Sequence, residues 1–385
     1  MSNPEKPLGL YVHIPFCLSK CAYCDFCSFP GSSKKLRARY LNALLKNAEE
    51  MGRRASEYYC DTVFIGGGTP PLIGDAAFRR LTDGLYRSFY VTDNAEITVE
   101  MNPATVEKRF ARSLLECGVN RVSIGLQSAD DRELKLLGRV HTVRDFEKSF
   151  ELLRNAGFDN INVDVMYGIP DQTPESFYNT LKYVVSLGPE HISAYGLQLE
   201  EGTPFWQLRD QLRFPDEDAE YAMYCYACEY LTENGYNHYE ISNFARPDRE
   251  CRHNKKYWNG DRYIGLGCSA HSSFEGMHYG YTDDPEAYIG CMERGEPSDS
   301  LCSEREQQTV DSLETEYVML RFRLAEGIDK RIYRALFGAD FDAKYRKRLE
   351  PFIAGGFVTD TPECCALTAD GMYVSNTILS SVLDL

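Results

Sequence analysis

Short runs of β-branched and aromatic residues recur along the first half of the chain: GLYVHI (9–14), DTVFIG (61–66), EITVEM (96–101), NRVSIG (120–125), NINVDVMYG (160–168) and HISAYGLQL (191–199). Between them the apolar positions fall at helical spacing, as in RARYLNALLKNAEEM, FRRLTDGLYRSF, EKRFARSLLECG, DFEKSFELLRNAG and ESFYNTLKYVVSLG. Near-continuous apolar strands alternating with helices of this length build right-handed βαβ units around a buried parallel sheet. Six units are too few to close an eight-stranded barrel. The pattern therefore predicts an α/β fold, either an open partial barrel or a doubly wound sheet.

In both architectures chemistry gathers beyond the carboxyl ends of the strands. Each run is indeed followed by a distinctive cluster: Pro15-Phe16-Cys17, Gly66-Gly67-Gly68-Thr69-Pro70, Asn102-Pro103, Gln127, Gly168-Ile169-Pro170 and Glu200-Glu201-Gly202-Thr203. After about residue 210 the rhythm changes. A long helix (EDAEYAMYCYACEYLTENG) leads to a Tyr/His/Asn-rich stretch, then to helical runs around 304–324 and 327–353. The segment GGFVTDTPECCALTADGMYVSN reads as a short hairpin before a last helix, in the manner of a winged-helix terminus. The expected division is 1–210 for the βα core, 211–300 for a linker helix and aromatic-rich region, and 301–385 for a smaller α+β domain.

Composition narrows the function. The 385 residues carry 42 Lys+Arg against 58 Asp+Glu, a net charge of −16, which argues against gripping a phosphate backbone. No apolar run reaches the roughly 18 residues of a membrane span, so no integral membrane segment is expected. The start, MSNPEKPLGL, lacks the h-region of an export signal, and a cytoplasmic location follows. Fourteen cysteines then stand reduced rather than paired. Ten are scattered; Cys17, Cys21, Cys24 and Cys27 lie within eleven positions.

Cys17-x3-Cys21-x2-Cys24 follows a strand at the expected mouth of the core. Three thiolates this close suit an iron–sulfur cluster, and three ligands for four irons leave one iron open to a substrate or cofactor. A zinc knot with Cys27 as fourth ligand is the alternative, although no second CxxC knuckle stands out; unliganded thiols are the third. Cys225-x2-Cys228 sits inside a helical run and reads as core.

With these residues in view, the chain resembles radical S-adenosylmethionine (SAM) proteins, and within them the coproporphyrinogen dehydrogenase and HemW group. The residues are Tyr11-Val-His-Ile-Pro-Phe-Cys17-x3-Cys21-x-Tyr23-Cys24-Asp25-Phe26, Gly66-Gly-Gly-Thr-Pro70, Glu100-x-Asn102-Pro103 and Arg121-x-Ser123-x-Gly125-x-Gln127. They continue with Gly138-Arg139-x-His141, Asn162-x-Asp164-x-Met166-Tyr167-Gly168-x-Pro170, His253-Asn254-x2-Tyr257-Trp258 and Gly265-x-Gly267-x-Ser269-Ala270-His271. The resemblance implies a partial (β/α)6 barrel and a C-terminal α+β domain.

It also implies that Cys17, Cys21 and Cys24 hold a 4Fe-4S cluster whose open iron is chelated by SAM. An electron from a cellular donor then cleaves the sulfonium to a 5′-deoxyadenosyl radical, the cofactor supplying the difficult chemistry. By the same resemblance Tyr11 and Tyr23 line the cluster and adenosyl site, and Gly67 and Glu100 contact SAM. Gly68, Thr69, Gln127, Arg139 and Asp164 match positions that hold a second SAM in the dehydrogenase. Read without the resemblance, an internal ion-pair network at the strand ends is the lesser alternative for Glu100, Arg139 and Asp164.

Three features separate the two branches. The dehydrogenase has a long extension before its cysteines and a further Cys two positions after the third; here sixteen residues precede Cys17 and Phe26 holds that position. His253-Asn-Lys-Lys-Tyr257-Trp258 resembles the HNxxYW motif of the HemW branch, a proposed haem chaperone. Haem needs an aromatic slot and an axial donor, so His253 as ligand with Tyr257 and Trp258 on the wall is one reading. A packed structural histidine is the other. The resemblance favours haem, delivered to an unidentified acceptor protein; the alternative function is oxygen-independent oxidative decarboxylation of coproporphyrinogen. Cys27 departs from the family, which usually has Asn there, and is expected to be a spectator to the cluster.

Overall fold

The computed structural model describes residues 4–383. The six apolar runs form strands β1 (Lys6–Ile14), β2 (Tyr58–Gly67), β3 (Tyr90–Met101), β4 (Arg121–Gln127), β5 (Ile161–Tyr167) and β6 (His191–Gly196), paired in that order and all parallel. Helices of 9 to 21 residues cross between successive strands. Their ends follow local chemistry. Thr142 and Asp145 form a reciprocal capping box at the start of the helix Val143–Ala156, and Gly157, at φ 116°, ends it in the left-handed conformation.

The strands are two-faced. Leu10, Val12, Ile65, Val99, Ile124, Val163 and Ile192 are buried in one core with the crossing helices, each contributing about 1.5–3 kcal/mol of burial. The alternate positions Tyr11, His13, Phe64, Glu100, Arg121, Ser123, Asn162, Asp164, His191 and Tyr195 face the interior of the curved sheet, where they bond one another. The expectation of strands apolar on both faces thus gives way to an aliphatic outer face and a polar-aromatic inner one.

Six more strands extend the same sheet: β7 (Asn237–Glu240), β8 (Asn243–Ala245), β9 (Tyr263–Leu266), β10 (His271–Phe274), β11 (Met277–Tyr281) and β12 (Cys302–Gln307). Among the described residues the order is β12-β11-β10-β9-β1-β2-β3-β4-β5-β6-β8-β7, so the sheet stays open. β9 lies parallel to β1, pairing Tyr263 with Gly9 and Leu266 with Val12, which makes a seventh parallel strand. The strands of 237–281 therefore widen the sheet at both edges. The helical run expected around 304–324 is a strand to Gln307 and a helix only over Val310–Arg321.

Residues 318–382 have their own core, including Val318, Phe322, Tyr333, Phe341, Tyr345 and Leu367. A three-stranded sheet orders Ile328–Asp329, Cys364–Leu367 and Val358–Asp360 before the last helices. The basic run Lys344–Arg348 is occupied within this lobe: Lys344 binds Glu314 at 2.6 Å, Arg346 lies 3.5 Å from Asp360, and Arg348 donates to the Val382 carbonyl. No helix among the described residues is long and apolar enough to cross a membrane.

Candidate functional site

The cysteine loop leaves β1 through buried Phe16 and returns at Phe29, where Phe16–Cys17 pairs with Phe29–Pro30. Two neighbouring segments hold its middle: Ala22 donates to the Leu137 carbonyl at 3.0 Å, and Phe205 donates to Ala22 at 2.9 Å. Cys17, Cys21 and Cys24 are free, half-buried thiols. Thr69 Oγ1 lies 3.6 Å from Cys17 Sγ, and Arg139 Nη1 lies 3.5 Å from Cys21 Sγ. Burial raises the Cys17 thiol and pushes Cys24 up to about 11.

The three thiols do not converge on a point; among the described residues no three His, Cys, Asp or Glu side chains could hold a single ion. Cys27 faces elsewhere, with its Sγ 3.4 Å from the Asp283 carbonyl. A tetrahedral zinc knot lacks its fourth ligand here. Three thiols on one loop instead suit an inorganic core with volume of its own and one open corner.

Beside that loop the glycines of Gly66-Gly67-Gly68 permit close approach. Gly68 donates to Ile14 O and Thr69 to Phe16 O, at 2.9 and 2.7 Å, so a Cβ at Gly68 would sit 2.6 Å from Phe16 O. Gly67, at φ 104°, lies over the His13 ring and donates to Glu100 Oε2 at 2.9 Å. Desolvation in the interior raises Glu100 to about 7, with Asp164 pushing the same way. Burial raises Asp164 too, against hydrogen bonds from Asn162 and Ser123. Two half-buried carboxyls held above their ordinary range would be relieved by a cationic ligand.

Opposite them, Arg139 donates to Gly125 O at 3.0 Å while its Nε is buried without a partner. Gln127 takes φ 74° at a bulge ending β4, which aims its side chain at Tyr195 OH, 2.7 Å away. Tyr23 packs with Leu137, Met166, Ile169 and Phe205 under the loop. Tyr11 stacks on Phe64 and donates to His13 Nδ1 at 3.0 Å. His13 Nε2 therefore carries its proton, and donates it to Cys27 O at 2.9 Å. Tyr11, Tyr23, Gly67, Gly68, Thr69, Glu100, Gln127, Arg139 and Asp164 thus surround one mouth with the three thiols.

The HNxxYW segment is elsewhere. It forms a helix, Arg252–Asn259, that plugs the amino-terminal end of the strands, Glu96 accepting from the backbone of Arg252 and His253. His253 is 1% exposed; Thr62 Oγ1 and Tyr257 OH engage its two nitrogens, each at 2.9 Å, and its ring stacks on Phe64. Burial lowers His253 to about 3. Trp258 is separate from this ring stack: Arg323 lies over its ring, and its indole adjoins the buried Glu240 carboxyl. Desolvation raises the Glu240 carboxyl to about 7, against the lowering influence of Asn243, Ser242, Trp258 and Arg323 around it.

Residues that motif reading missed complete the floor. Cys251 N–H donates to Tyr239 OH, Tyr239 to His191 Nε2, His191 Nδ1 to Asn162 Oδ1, and Asn162 Nδ2 to Asp164, over 3.2, 2.8, 2.6 and 2.6 Å. Polar residues at every second position of otherwise apolar strands were the available signal.

This mouth, on this sheet, defines a radical SAM protein. A model of the radical SAM superfamily matches residues 11–184, and a model of the HemN C-terminal domain matches 312–374. Heme chaperone HemW of Escherichia coli is 35% identical over 98% of both chains, and heme chaperone HemW of Bacillus subtilis 32% identical over 97% of this chain and 98% of its own. The solved coproporphyrinogen III oxidase (HemN) of Escherichia coli, a radical SAM enzyme, superposes with a TM-score of 0.86 at 26% identity, covering 98% of this chain and 90% of that one. The chain belongs to the HemW family.

Proposed function

We propose that this protein binds haem and hands it to an acceptor protein, using a radical SAM core whose cluster is held by Cys17, Cys21 and Cys24. The observation that carries this reading is the end-to-end similarity to HemW heme chaperones. When bound, the cluster and SAM supply one-electron chemistry. The residues here have narrower tasks. The three thiols offer a soft donor set, the glycine turn lets backbone groups approach, Glu100 and Asp164 receive positive charge, and Arg139 supplies the opposing cation.

Haem is the cargo, and its capture by His253 has a structural cost. An axial ligand needs a free nitrogen lone pair, whereas both nitrogens of His253 are engaged, its ring stacks on Phe64, and Tyr257 meets it edge-on. Ligation by His253 therefore requires the helix Arg252–Asn259 to swing out of the barrel floor, with Tyr257 and Trp258 walling the cargo once it has moved. An acceptor protein and an electron donor complete the reading.

Haem titration of anaerobically reconstituted protein, followed in the Soret band, tests the reading beside an assay of coproporphyrinogen consumption. Stable haem binding without turnover is expected; turnover without haem binding would assign the dehydrogenase activity instead. His253→Ala is expected to abolish the ligated Soret spectrum, and an unchanged spectrum would move the axial ligand elsewhere.

A further inference from the structure

Cys27 is turned away from the cluster cysteines, toward the Asp283 carbonyl. Its neighbour is Cys268, just past the end of β9. One histidine ties both: His13 Nε2 donates to Cys27 O at 2.9 Å, Tyr40 OH donates to His13 O at 2.9 Å, and Cys268 N donates to Tyr40 OH at 3.0 Å. The side chains meet at one turn. Cys27 Sγ lies 3.4 Å from the Asp283 carbonyl, while Ser269 N donates to the preceding carbonyl, Thr282 O, at 2.8 Å. Both cysteines therefore converge on the Thr282–Asp283 turn, where their side chains interact. Cys27 is half-buried, whereas Cys268 is 0% exposed.

We propose that Cys27 and Cys268 are a modification site: a small-molecule disulfide oxidises them to an intramolecular disulfide that fastens the cluster loop to β9. Exposure orders the steps. The Cys27 thiolate attacks one sulfur of the reagent, R–S–S–R, and the S–S bond breaks to release one thiolate, which is protonated to RSH. Cys268 then loses its proton and attacks the Cys27 sulfur of the mixed disulfide, expelling the second RSH. Two protein thiols are oxidised by two electrons, and one reagent disulfide is reduced to two thiols. The assignment of roles agrees with the acidities. The hydrogen bond from Cys268, with help from His13, lowers the Cys27 thiol, while the Cys268 thiol is raised.

The consequence is local. β9 follows the HNxxYW helix after three residues, so the bond joins the loop of Cys17, Cys21 and Cys24 to the strand that anchors that helix. The proposal stands whether or not the cargo is haem.

Cluster-loaded protein is treated anaerobically with glutathione disulfide, alkylated, and mapped by mass spectrometry without reduction, with iron and sulfide measured before and after. A peptide linking Cys27 to Cys268 is expected, at unchanged iron content. Cys268→Ala is expected to stop at a glutathione adduct on Cys27, and Cys27→Ser to give neither product. No cross-link in the unsubstituted protein would overturn the proposal, as would cross-links confined to Cys17, Cys21 and Cys24 with loss of iron. Because the unsubstituted chain gives the primary result, poor folding of Cys268→Ala leaves the test intact.

Discussion

The two ends of the barrel interior use the same residue types to opposite effect. At the mouth, three thiols are half-buried and free, Arg139 Nε has no partner, and two carboxyls sit above their ordinary pKa. On the floor, His253, Tyr257, His191 and Tyr239 engage one another or nearby hydroxyls and amides at 2.6–3.2 Å. A site ready for a ligand keeps polar atoms unsatisfied until the ligand arrives; a site that must open first keeps them satisfied. The mouth is of the first kind and the His253 and His191 networks of the floor are of the second, although Arg121 Nε beside them is buried without a partner.

Substitutions that exchange these characters test the comparison. The largest effect is expected at the mouth. Cys21→Ser should abolish cluster assembly, read as loss of iron, sulfide and visible absorbance, while costing cluster-free protein no more than about 1 kcal/mol. Cys27→Ser should retain the cluster in full. On the floor the burden falls on folding. His253→Ala removes two hydrogen bonds and a buried ring, so denaturant unfolding should show about 3–5 kcal/mol lost, and a loss below 1 kcal/mol would mean that the floor is already open in solution.

Next comes Glu240. Its folded pKa of about 7 exceeds the ordinary 4.5, so the folded state holds the proton longer and stability falls as pH rises from about 4.5 through 7. Glu240→Gln should remove that fall, raising stability at pH 8 by up to about 3 kcal/mol and little at pH 4.5. Thermal unfolding across this range checks it, and equal gains at both pH values would refute the assignment. Smallest is Tyr11→Phe, which deletes the donor to His13 and should cost about 1 kcal/mol by denaturant unfolding.

Much of this arrangement was legible along the chain, for identifiable reasons. The six strands carry aliphatic residues at alternate positions that pack under the crossing helices, and the glycines of Gly66-Gly67-Gly68 mark a turn where side chains collide with His13 and Phe16. Other parts left no local trace. The strand Cys302–Gln307 reads CSEREQ because it is a solvated sheet edge without the alternation that betrays a half-buried strand. The seventh parallel strand, YIGL, is too short to announce itself, and its partner β1 is about 250 residues away in sequence. Cys27 adjoins Cys24 along the chain, yet the turn of the loop takes its thiol to Asp283; spacing cannot reveal direction.

The pairing of β9 with β1 has a further meaning for a chain made from its amino terminus. β1 emerges first and finds β2 within sixty residues, but its other edge waits until Tyr263–Leu266 has been synthesised. Until then the strand leading into the cluster loop presents unpaired backbone, the condition that invites misassembly on the ribosome. Nascent chains halted before residue 263 should therefore be aggregation-prone however complete their first six βα units, and the cluster loop acquires its final flank only when two-thirds of the protein already exists.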